Sequence, residues 1–322
     1  MDALRSLRLY ALIAANHMRN RLYPEPATAH EPMPIIVGSP RSGTTLLRLM
    51  LDAHPDLAIP AETGFVVPVL RLWSSGARLR QSFWNTVTGY PLGAPAWPDF
   101  GIAREAFWDE LQAIEPFTIP AGLRCFYRSY ARRQGKPRWG DKTPHYGRYM
   151  LAIAQALPEA HFVHVIRDGR DVALSLRDLW FSPGKDMQTL AERWRYDVST
   201  ARAQGRRCRR YLEVRYEDLV LHPSTVLQRV CTFCELDYDP RMEAYYAGAQ
   251  QRLGEAQARV RSDGTVLVTR EDRLASQRLT MSPPDASRVL NWKRAMSRDE
   301  RAQFEHLAGR LLAELGYEVR TG

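Results

Sequence analysis

The residues that most constrain this chain run from Pro34 to Leu51 and spell PIIVGSPRSGTTLLRLML. They predict a short buried strand over 34–37, a tight loop over 38–43 and a helix that begins near Thr44. The first N–H groups of such a helix lack backbone partners, and its dipole places partial positive charge there. A Gly-bounded loop between a strand and a helix is therefore a site for anions. The sequence predicts that a phosphate or sulfate group binds at this loop.

A Walker A loop is the nearest alternative, and it requires the pattern GxxxxGK[ST]. Gly38 and Gly43 keep the glycine spacing of that pattern, and Thr45 lies at its hydroxyl position. Thr44 replaces the Walker lysine, and a cation, Arg41, comes earlier in the loop. Because the Walker lysine binds the β- and γ-phosphates, hydrolysis of a nucleoside triphosphate is the weaker interpretation. A Gly/Ser-rich turn without a ligand is the purely structural alternative.

The loop resembles that of the PAPS-dependent sulfotransferases, in which PxRSGTT binds the 5′-phosphosulfate of 3′-phosphoadenosine 5′-phosphosulfate (PAPS). The match continues through LLRLMLDAHPDLAIPAET, which is most similar to the opening motif of the tyrosylprotein sulfotransferases. The resemblance implies PAPS as the sulfuryl donor and 3′-phosphoadenosine 5′-phosphate (PAP) as the product. It places the 5′-phosphosulfate against Ser39, Arg41, Ser42, Gly43, Thr44 and Thr45.

A glutamate follows the next predicted strand. Leu57–Ile59 is that strand, and Glu62 lies just past its end, where open α/β sheets bind ligands. The tyrosylprotein sulfotransferases carry a glutamate before a threonine at this distance from the loop arginine. By that resemblance Glu62 is the general base that deprotonates the acceptor hydroxyl, and a capping or salt-bridged surface glutamate is the alternative. Gly64 stands where those enzymes have arginine, which weighs against a peptide acceptor.

A lysine lies in the segment PRWGDKTPHYGRYM, for which we predict a strand over Arg138–Gly140 and a loop over Asp141–Pro144. Many sulfotransferases that this chain resembles have a DKTP or KDP element here, and its lysine contacts the cofactor. By that resemblance Lys142 and Arg41 stabilise charge on the sulfuryl oxygens and on the departing phosphate. A solvent-exposed lysine is the alternative at this position.

A second signature follows the β-branched segment Ala160–Ile166, which predicts a buried strand. The residues RDGRDVALSL come next and predict a turn and then a helix. Arg167 and Ser175 lie at the strand end and on that helix, and resemble the arginine and serine that bind the 3′-phosphate of PAPS. Because ATP has no 3′-phosphate, this pair argues against a kinase.

Further cofactor contacts are implied by resemblance alone. Tyr216 begins a YEDL element, whose tyrosine reaches the nucleotide in related sulfotransferases. The polar, irregular segment 264–287 resembles the C-terminal loop that closes over the nucleotide, with Ser276 and Arg278 as candidate residues. The RxGxxGxWK element of cytosolic sulfotransferases is reduced to NWK at Asn291–Lys293, so the remaining 3′-phosphate contacts are unassigned.

The composition fits an anionic ligand and a reducing compartment. The net charge is +9, and no recognised nucleic-acid motif accompanies it, so we expect no nucleic-acid partner. The four cysteines are too few and too scattered for a disulfide framework. Cys231 and Cys234 form a CxxC on a predicted amphipathic helix without a second pair at zinc spacing, which indicates buried apolar thiols. We therefore expect a cytoplasmic protein without a bound metal.

The chain begins with a separate segment. Residues 1–23 predict a basic amphipathic helix whose apolar run is too short to span a membrane, and residues 24–34 are a proline-rich linker. The helix packs on the domain or contacts a membrane surface. Residues 34–322 then form a single domain, with acceptor-pocket insertions over about 64–135. Aromatic residues of these insertions are either a pocket wall or core: Trp73, Trp84, Tyr90, Trp97 and Trp108.

Strands alternate with helices, which predicts an α/β, P-loop-like three-layer fold with a mostly parallel central sheet, of sulfotransferase type. The predicted function is transfer of a sulfuryl group from PAPS to a hydroxyl acceptor, with PAP as product. A small molecule or metabolite is slightly favoured over a protein tyrosine or a glycan, and a homodimer is compatible with the sequence. The alternatives are a P-loop nucleotide kinase or NTPase and a non-catalytic nucleotide-binding or scaffold protein.

Overall fold

A computed structural model describes residues 30–319 of the chain. The helix predicted over residues 1–23 and most of its linker lie outside the described residues. The strands are β1 (Met33–Gly38), β2 (Leu57–Ala58), β3 (Arg138–Trp139), β4 (Asp141–Lys142), β5 (Ala160–Ile166), β6 (Tyr211–Arg215), β7 (Arg259–Val260) and β8 (Val266–Val268).

The helices alternate with these strands. In chain order they are α1 (Thr44–Asp52), α2 (Val66–Leu70), α3 (Gly76–Gly89), α4 (Arg104–Gln112), α5 (Ile119–Arg133), α6 (Met150–Ala156), α7 (Gly169–Leu176), α8 (Met187–Gly205), α9 (Tyr216–Leu221), α10 (Pro223–Phe233), α11 (Tyr246–Leu253), α12 (Arg270–Ala275), α13 (Trp292–Ala295) and α14 (Arg298–Glu314). Short 3₁₀ turns include Trp97–Phe100 and Pro144–Arg148.

The central sheet has the order β4-β1-β5-β6, and all of its strands are parallel. β2 and β3 form a separate parallel pair, and β7 pairs with β8 in an antiparallel hairpin. The order is non-sequential because each parallel neighbour requires a crossover through a helix. The carboxyl ends of the four central strands therefore meet at one edge, where open α/β sheets bind their ligands.

Alternate residues of the central strands enter opposite layers of the core. Ile35 and Phe162, which face each other across β1 and β5, pack with α2 to α6. Ile36 and Val163, the next pair in register, pack with α1, α9, α10 and α11. A third cluster joins α7, α8 and α14 around Trp194. Helical layers thus cover both faces of a parallel sheet, which confirms the predicted three-layer α/β fold.

Several predicted boundaries differ in the structure. The apolar period of residues 102–134 predicts a helix, but the structure has two, because Pro116 lies between them and Thr118 caps α5 by accepting the Ala121 N–H at 3.2 Å. Residues 66–80 have a helical period as well, and in the structure they are divided between α2 and α3. The predicted loop at Asp141 is wrong, since Asp141 and Lys142 form β4 beside β1. The segment 264–287 is more regular than predicted, because it contains β8 and α12.

The structure also shows how α14 begins, and it confirms that the CxxC cysteines are buried thiols. Ser297 and Glu300 form the capping box of α14: the Ser297 Oγ accepts the Glu300 N–H at 3.2 Å, and a Glu300 carboxylate oxygen accepts the Ser297 N–H at 2.8 Å. Cys231 and Cys234 are buried free thiols, and burial raises the pKa of Cys231 to about 11. Between residues 30 and 319, no helix combines the length and apolar character that crossing a bilayer requires.

Candidate active site

A cleft of about 600 Å³ opens at the carboxyl ends of the central strands. This volume is in the range of small-molecule sites in proteins. Predicted site residues on its wall are Arg41, Gly43, Thr44, Thr45, Glu62, Lys142, Arg167, Ser175, Tyr216 and Ser276. Two predicted residues, Ser39 and Ser42, do not line it with their side chains. The structure therefore brings both predicted signatures, which are far apart in sequence, to one cleft.

The anion loop, residues 38–43, has the backbone of a tight turn. The Ser42 N–H donates to the Ser39 carbonyl at 3.2 Å, and Arg41 and Gly43 have φ values of +70° and +93°. A Cβ atom on Gly43 would lie 2.4 Å from the ring of Tyr216, so this position requires glycine for its conformation and for space. The chain enters α1 at Thr44, whose N-terminus thus faces the cleft.

The two loop serines have different environments. The Ser39 hydroxyl donates to a carboxylate oxygen of Asp197 at 3.2 Å and does not line the cleft. The Ser42 hydroxyl is fully buried and has no hydrogen-bond partner among the described residues. A buried hydroxyl without a partner is unfavourable, so Ser42 keeps a hydrogen-bonding capacity that Ser39 uses for Asp197.

Arg41 connects the anion loop to two more predicted residues. Its Nε donates to the Ser175 hydroxyl at 3.1 Å, and one terminal nitrogen donates to the Ser276 carbonyl at 3.2 Å. Burial and the nearby charge of Arg167 lower the pKa of Arg41, but an arginine keeps its charge at neutral pH. The loop, α7 and the segment after α12 therefore meet at one guanidinium.

Arg167 lies over the face of Tyr216, with 4.3 Å between its Cζ and the ring centroid. Its terminal nitrogens donate to the carbonyls of Arg41 at 3.2 Å and Arg288 at 3.0 Å. Its Nε is buried and has no hydrogen-bond partner in the part of the chain that the structure describes. A carboxylate oxygen of Asp171 lies 3.8 Å from a terminal nitrogen of Arg167. Burial raises the pKa of the Asp171 carboxyl to about 6, although the charge of Arg167 acts to lower it. The guanidinium of Arg167 is therefore fixed in place and can bind an anion.

Glu62 and Lys142 form an ion pair on the cleft wall. The Lys142 Nζ donates to Glu62 Oε1 at 2.6 Å and to the Thr45 hydroxyl at 3.4 Å. The Lys142 side chain is 5% exposed, whereas the Glu62 side chain is 50% exposed toward the cleft. Burial raises the pKa of Glu62, but Lys142, together with the nearby charges of His145 and Arg273, holds that pKa below its usual value. Glu62 is therefore a carboxylate at neutral pH that an entering hydroxyl can reach.

The model of the Sulfotransferase family matches residues 32–240, which is more than half of the chain. The chain belongs to the Sulfotransferase family. The matched range contains the anion loop, the Glu62–Lys142 pair, Arg167 and Tyr216. The chain is thus a sulfotransferase, as the resemblance of its motifs predicted.

Relatives of this sulfotransferase extend over most of the chain. Protein-tyrosine sulfotransferase 1 of Danio rerio is 26% identical over 300 residues, which cover 89% of this chain and 72% of the relative. The nodulation protein NoeE of Sinorhizobium fredii is 28% identical over 312 residues, 89% of this chain and 67% of NoeE. A solved sulfotransferase domain from the curacin biosynthetic pathway matches with a TM-score of 0.58 at 20% identity, covering 91% of this chain and all of that domain. That likeness confirms the sulfotransferase fold.

These comparisons correct two predictions. The prediction of a cytoplasmic location is wrong, because the similar animal enzymes are protein-tyrosine sulfotransferases, which are Golgi membrane proteins. The slight preference for a small-molecule acceptor is not supported, since the relatives include several enzymes named for protein tyrosine. A P-loop kinase or NTPase is not favoured either, because the family is that of the sulfotransferases.

The aromatic wall of the cleft does not come from the expected insertion. Its aromatic residues include Trp180 and Phe181, whose rings pack edge to face with centroids 5.1 Å apart. Of the residues expected there, Trp97 is core beside Phe107, and Trp73 is 67% exposed on the surface. Trp84 packs on Trp108, and Tyr90 packs beside Gly64. The sequence signal for this wall was the adjacent aromatic pair Trp180 and Phe181, which follows α7.

Several arginines that line the cleft were also missed, and two of them bind one buried aspartate. Arg259 and Arg273 donate to Asp99 at 2.7 and 2.8 Å, and Asp99 is 2% exposed. Arg259 begins the β7–β8 hairpin, and Arg273 lies on α12. Through these two ion pairs Asp99 joins the hairpin and α12 to the insertion that contains α3 to α5. No local motif marks these residues, because the ion pairs join segments about half the chain apart.

Proposed function

We propose that this sulfotransferase transfers the sulfuryl group of PAPS to a hydroxyl acceptor, with Glu62 as general base. The observation that carries the proposal is that one cleft contains three groups. They are the anion loop at the N-terminus of α1, the guanidinium of Arg167 and the carboxylate of Glu62. ATP chemistry would need the Walker lysine, whose position holds Thr44.

The donor contacts divide between the two signatures. The loop N–H groups, Arg41, Ser42, Gly43, Thr44 and Thr45 hold the 5′-phosphosulfate; the Ser39 hydroxyl supports the loop through Asp197. Arg167 and Ser175 hold the 3′-phosphate, and Tyr216 contacts the nucleotide beside Arg167. Ser276 closes the site through its carbonyl, which accepts from Arg41. The unpartnered Nε of Arg167 and hydroxyl of Ser42 supply donors that a phosphate satisfies.

The reaction is an in-line displacement at sulfur. As the acceptor oxygen forms a bond to sulfur, its proton passes to the Glu62 carboxylate, and the bond from sulfur to the bridging oxygen breaks. The electron pair of that bond remains on the 5′-phosphate of PAP. Arg41 and Lys142 neutralise the negative charge on the sulfuryl oxygens and on the departing phosphate. We infer that these fixed cations do the work that a metal ion does in kinases.

The acceptor class that we propose is the phenolic hydroxyl of tyrosine in a peptide or protein. The relatives named protein-tyrosine sulfotransferases support it, and the flat rings of Trp180 and Phe181 on the cleft wall suit an aromatic acceptor. Gly64, which replaces the arginine of those enzymes, is the feature of this chain that opposes peptide recognition.

The test is transfer of a radiolabelled sulfuryl group from PAPS to a peptide with one tyrosine. The matched control peptide has phenylalanine at that position, and the matched enzyme is Glu62→Gln. We expect label on the tyrosine peptide with the native protein only. Label transfer from PAPS to neither this peptide nor a simple phenol such as 2-naphthol, by an enzyme that binds PAP, would contradict the acceptor class.

A further inference from the structure

A buried network of hydroxyl groups and one carboxylate lies behind the Glu62–Lys142 pair. The Asp141 Oδ2 accepts hydrogen bonds from the Thr63 hydroxyl at 2.7 Å and from the Tyr127 hydroxyl at 2.8 Å. Asp141 is 0% exposed, and Thr63 and Tyr127 are each 1% exposed. Because water does not reach these groups, loss of one hydroxyl leaves its partner without a replacement.

The network is joined through the backbone to both members of the ion pair. Thr63 directly follows Glu62, and Asp141 directly precedes Lys142. On β4, Asp141 is in register with Ile35 of β1, and Lys142 with Ile36. Since successive strand residues point to opposite faces, Lys142 enters the cleft while Asp141 enters the core. A bond between Thr63 and Asp141 therefore fixes the distance between the backbone segments that carry Glu62 and Lys142.

The protons of the network have a fixed order. Thr63 has one hydroxyl proton, which it donates to Asp141, so the Tyr146 hydroxyl at 2.8 Å donates to the Thr63 oxygen. The Tyr146 oxygen in turn accepts the Val66 N–H at 3.0 Å. The Thr63 N–H donates to the Thr143 hydroxyl oxygen at 3.2 Å. Thr63 is thus held through its hydroxyl and its backbone, whereas the neighbouring Glu62 side chain is half exposed.

We propose that the Thr63–Asp141 hydrogen bond is a positioning element of the active site, which holds Glu62 against Lys142 and ready for the acceptor hydroxyl. The inference rests on the roles proposed above for Glu62 and Lys142. Thr63 and Asp141 touch neither donor nor acceptor and act through their chain neighbours. A catalytic group that is misplaced by about 1 Å can reduce turnover on the order of 10²-fold. The Thr63–Asp141 bond therefore affects the rate through the position of Glu62.

The test compares two substitutions that remove one hydroxyl donor from the same carboxylate oxygen. Thr63→Val keeps the side-chain shape and removes the bond that holds the Glu62 segment. Tyr127→Phe removes the other donor, on α5, and is the matched control. Thr63→Ser restores the hydroxyl and is the rescue variant. Turnover is measured as PAP release from PAPS with the tyrosine peptide, and PAP affinity is measured by calorimetry.

A second readout does not depend on the acceptor. The chain has four lysines, Lys136, Lys142, Lys185 and Lys293, so amine labelling followed by mass spectrometry resolves each one. The 5%-exposed Lys142 side chain is protected by its pairing with Glu62, whereas Lys185 is exposed. Release of the Glu62 segment is expected to raise the labelling rate of Lys142 relative to Lys185.

The expected result for Thr63→Val is a fall in kcat of about tenfold or more, faster labelling of Lys142 and unchanged PAP affinity. Tyr127→Phe and Thr63→Ser are expected to stay within about threefold of the native protein in kcat and labelling. Equal behaviour of Thr63→Val and Tyr127→Phe in both readouts would overturn the positioning role.

Two outcomes separate this inference from the proposed function. Should the native protein neither bind PAP nor transfer the sulfuryl group, the proposed function fails, and the labelling of Lys142 still decides the positioning. Should Thr63→Val not fold, Thr63→Ala replaces it, because this variant also removes the hydroxyl that donates to Asp141. Lys142 labelling in Thr63→Ala no faster than in Tyr127→Phe would then overturn the inference.

Discussion

The anion loop and the Glu62–Lys142 pair lie in one cleft but are built in different ways. The loop is six contiguous residues, and its shape follows from a local turn, two positive φ values and the start of α1. The pair joins residues 80 positions apart in sequence, one after β2 and one on β4. Local backbone geometry defines the first, and packing between distant segments defines the second.

This difference separates binding from chemistry. The loop presents N–H groups and a helix N-terminus, which require no tertiary tuning to attract an anion. The pair requires a buried lysine, a reachable carboxylate and the Thr63–Asp141 bond that connects their chain neighbours. Substitutions in the loop other than at Arg41 should therefore change affinity for the donor, whereas substitutions in the pair should change turnover.

The largest expected effect is that of Glu62→Gln on turnover. Loss of a general base is expected to lower kcat by about 10²-fold or more, because the acceptor hydroxyl then has no proton acceptor. PAP affinity is expected to change little, since Glu62 belongs to the pair and the loop is intact. Steady-state kinetics with the tyrosine peptide and calorimetry with PAP check both parts, and near-normal kcat would contradict the base assignment.

Arg167→Ala should act on binding instead. A charge-assisted hydrogen bond contributes about 1.5–3 kcal/mol, so removal of Arg167 is expected to weaken PAP binding roughly 10- to 100-fold. ADP lacks the 3′-phosphate and is the matched ligand, whose affinity is expected to change much less. Equal losses for PAP and ADP would show that Arg167 does not recognise the 3′-phosphate.

The pH dependence of the rate should reveal the pairing of Glu62 with Lys142. Lys142 holds the pKa of Glu62 below its usual value of about 4.3, so the native enzyme keeps its base ionised down to that lower pH. Lys142→Met removes the main influence that lowers the pKa of Glu62 and leaves burial opposed only by the nearby charges of His145 and Arg273. The pKa of Glu62 therefore rises, and the acid limb of kcat/KM moves to higher pH. Lys185→Met, at an exposed position, is the control and should leave the limb unchanged.

The smallest expected effects compare the two loop serines. The Ser42 hydroxyl has no partner among the described residues, so Ser42→Ala is expected to leave the free energy of unfolding unchanged and to weaken PAP binding several-fold. Ser39→Ala removes one bond to Asp197, which keeps its bonds to Arg148 and Arg193, and is expected to lower stability by about 0.5–1.5 kcal/mol. Denaturant titration measures the free energy of unfolding of both variants, and calorimetry measures their PAP affinity. A loss of stability in Ser42→Ala would contradict the difference expected between the two serines.

The sequence was most informative where structure is local. Residues 34–51 predicted a strand, a loop and a helix that the structure contains, since apolar runs, glycine spacing and helix starts are set by neighbouring residues. The parallel sheet and its layers followed from the alternation of strands and helices. The buried strand β5 was predicted for the same reason, because its β-branched residues are adjacent in sequence.

The missed features all depend on long-range contacts. Lys142 was assigned to a loop, because the two residues of β4 are too few to show a period and are strand only beside β1. Trp97 and Trp180 are equally aromatic in sequence, and only the fold sends Trp97 into the core and Trp180 to the cleft wall. The pairing of Asp99 with Arg273 likewise exists only after the chain has folded.

The most direct test of the central claim is calorimetric binding of PAP, ADP and ATP to the native protein, each with and without Mg²⁺. A cleft that recognises PAPS through the anion loop and Arg167 should bind PAP tightly without metal, and should bind ADP at least about tenfold more weakly. Preference for ATP with Mg²⁺ over PAP would contradict that claim and would indicate kinase-like chemistry.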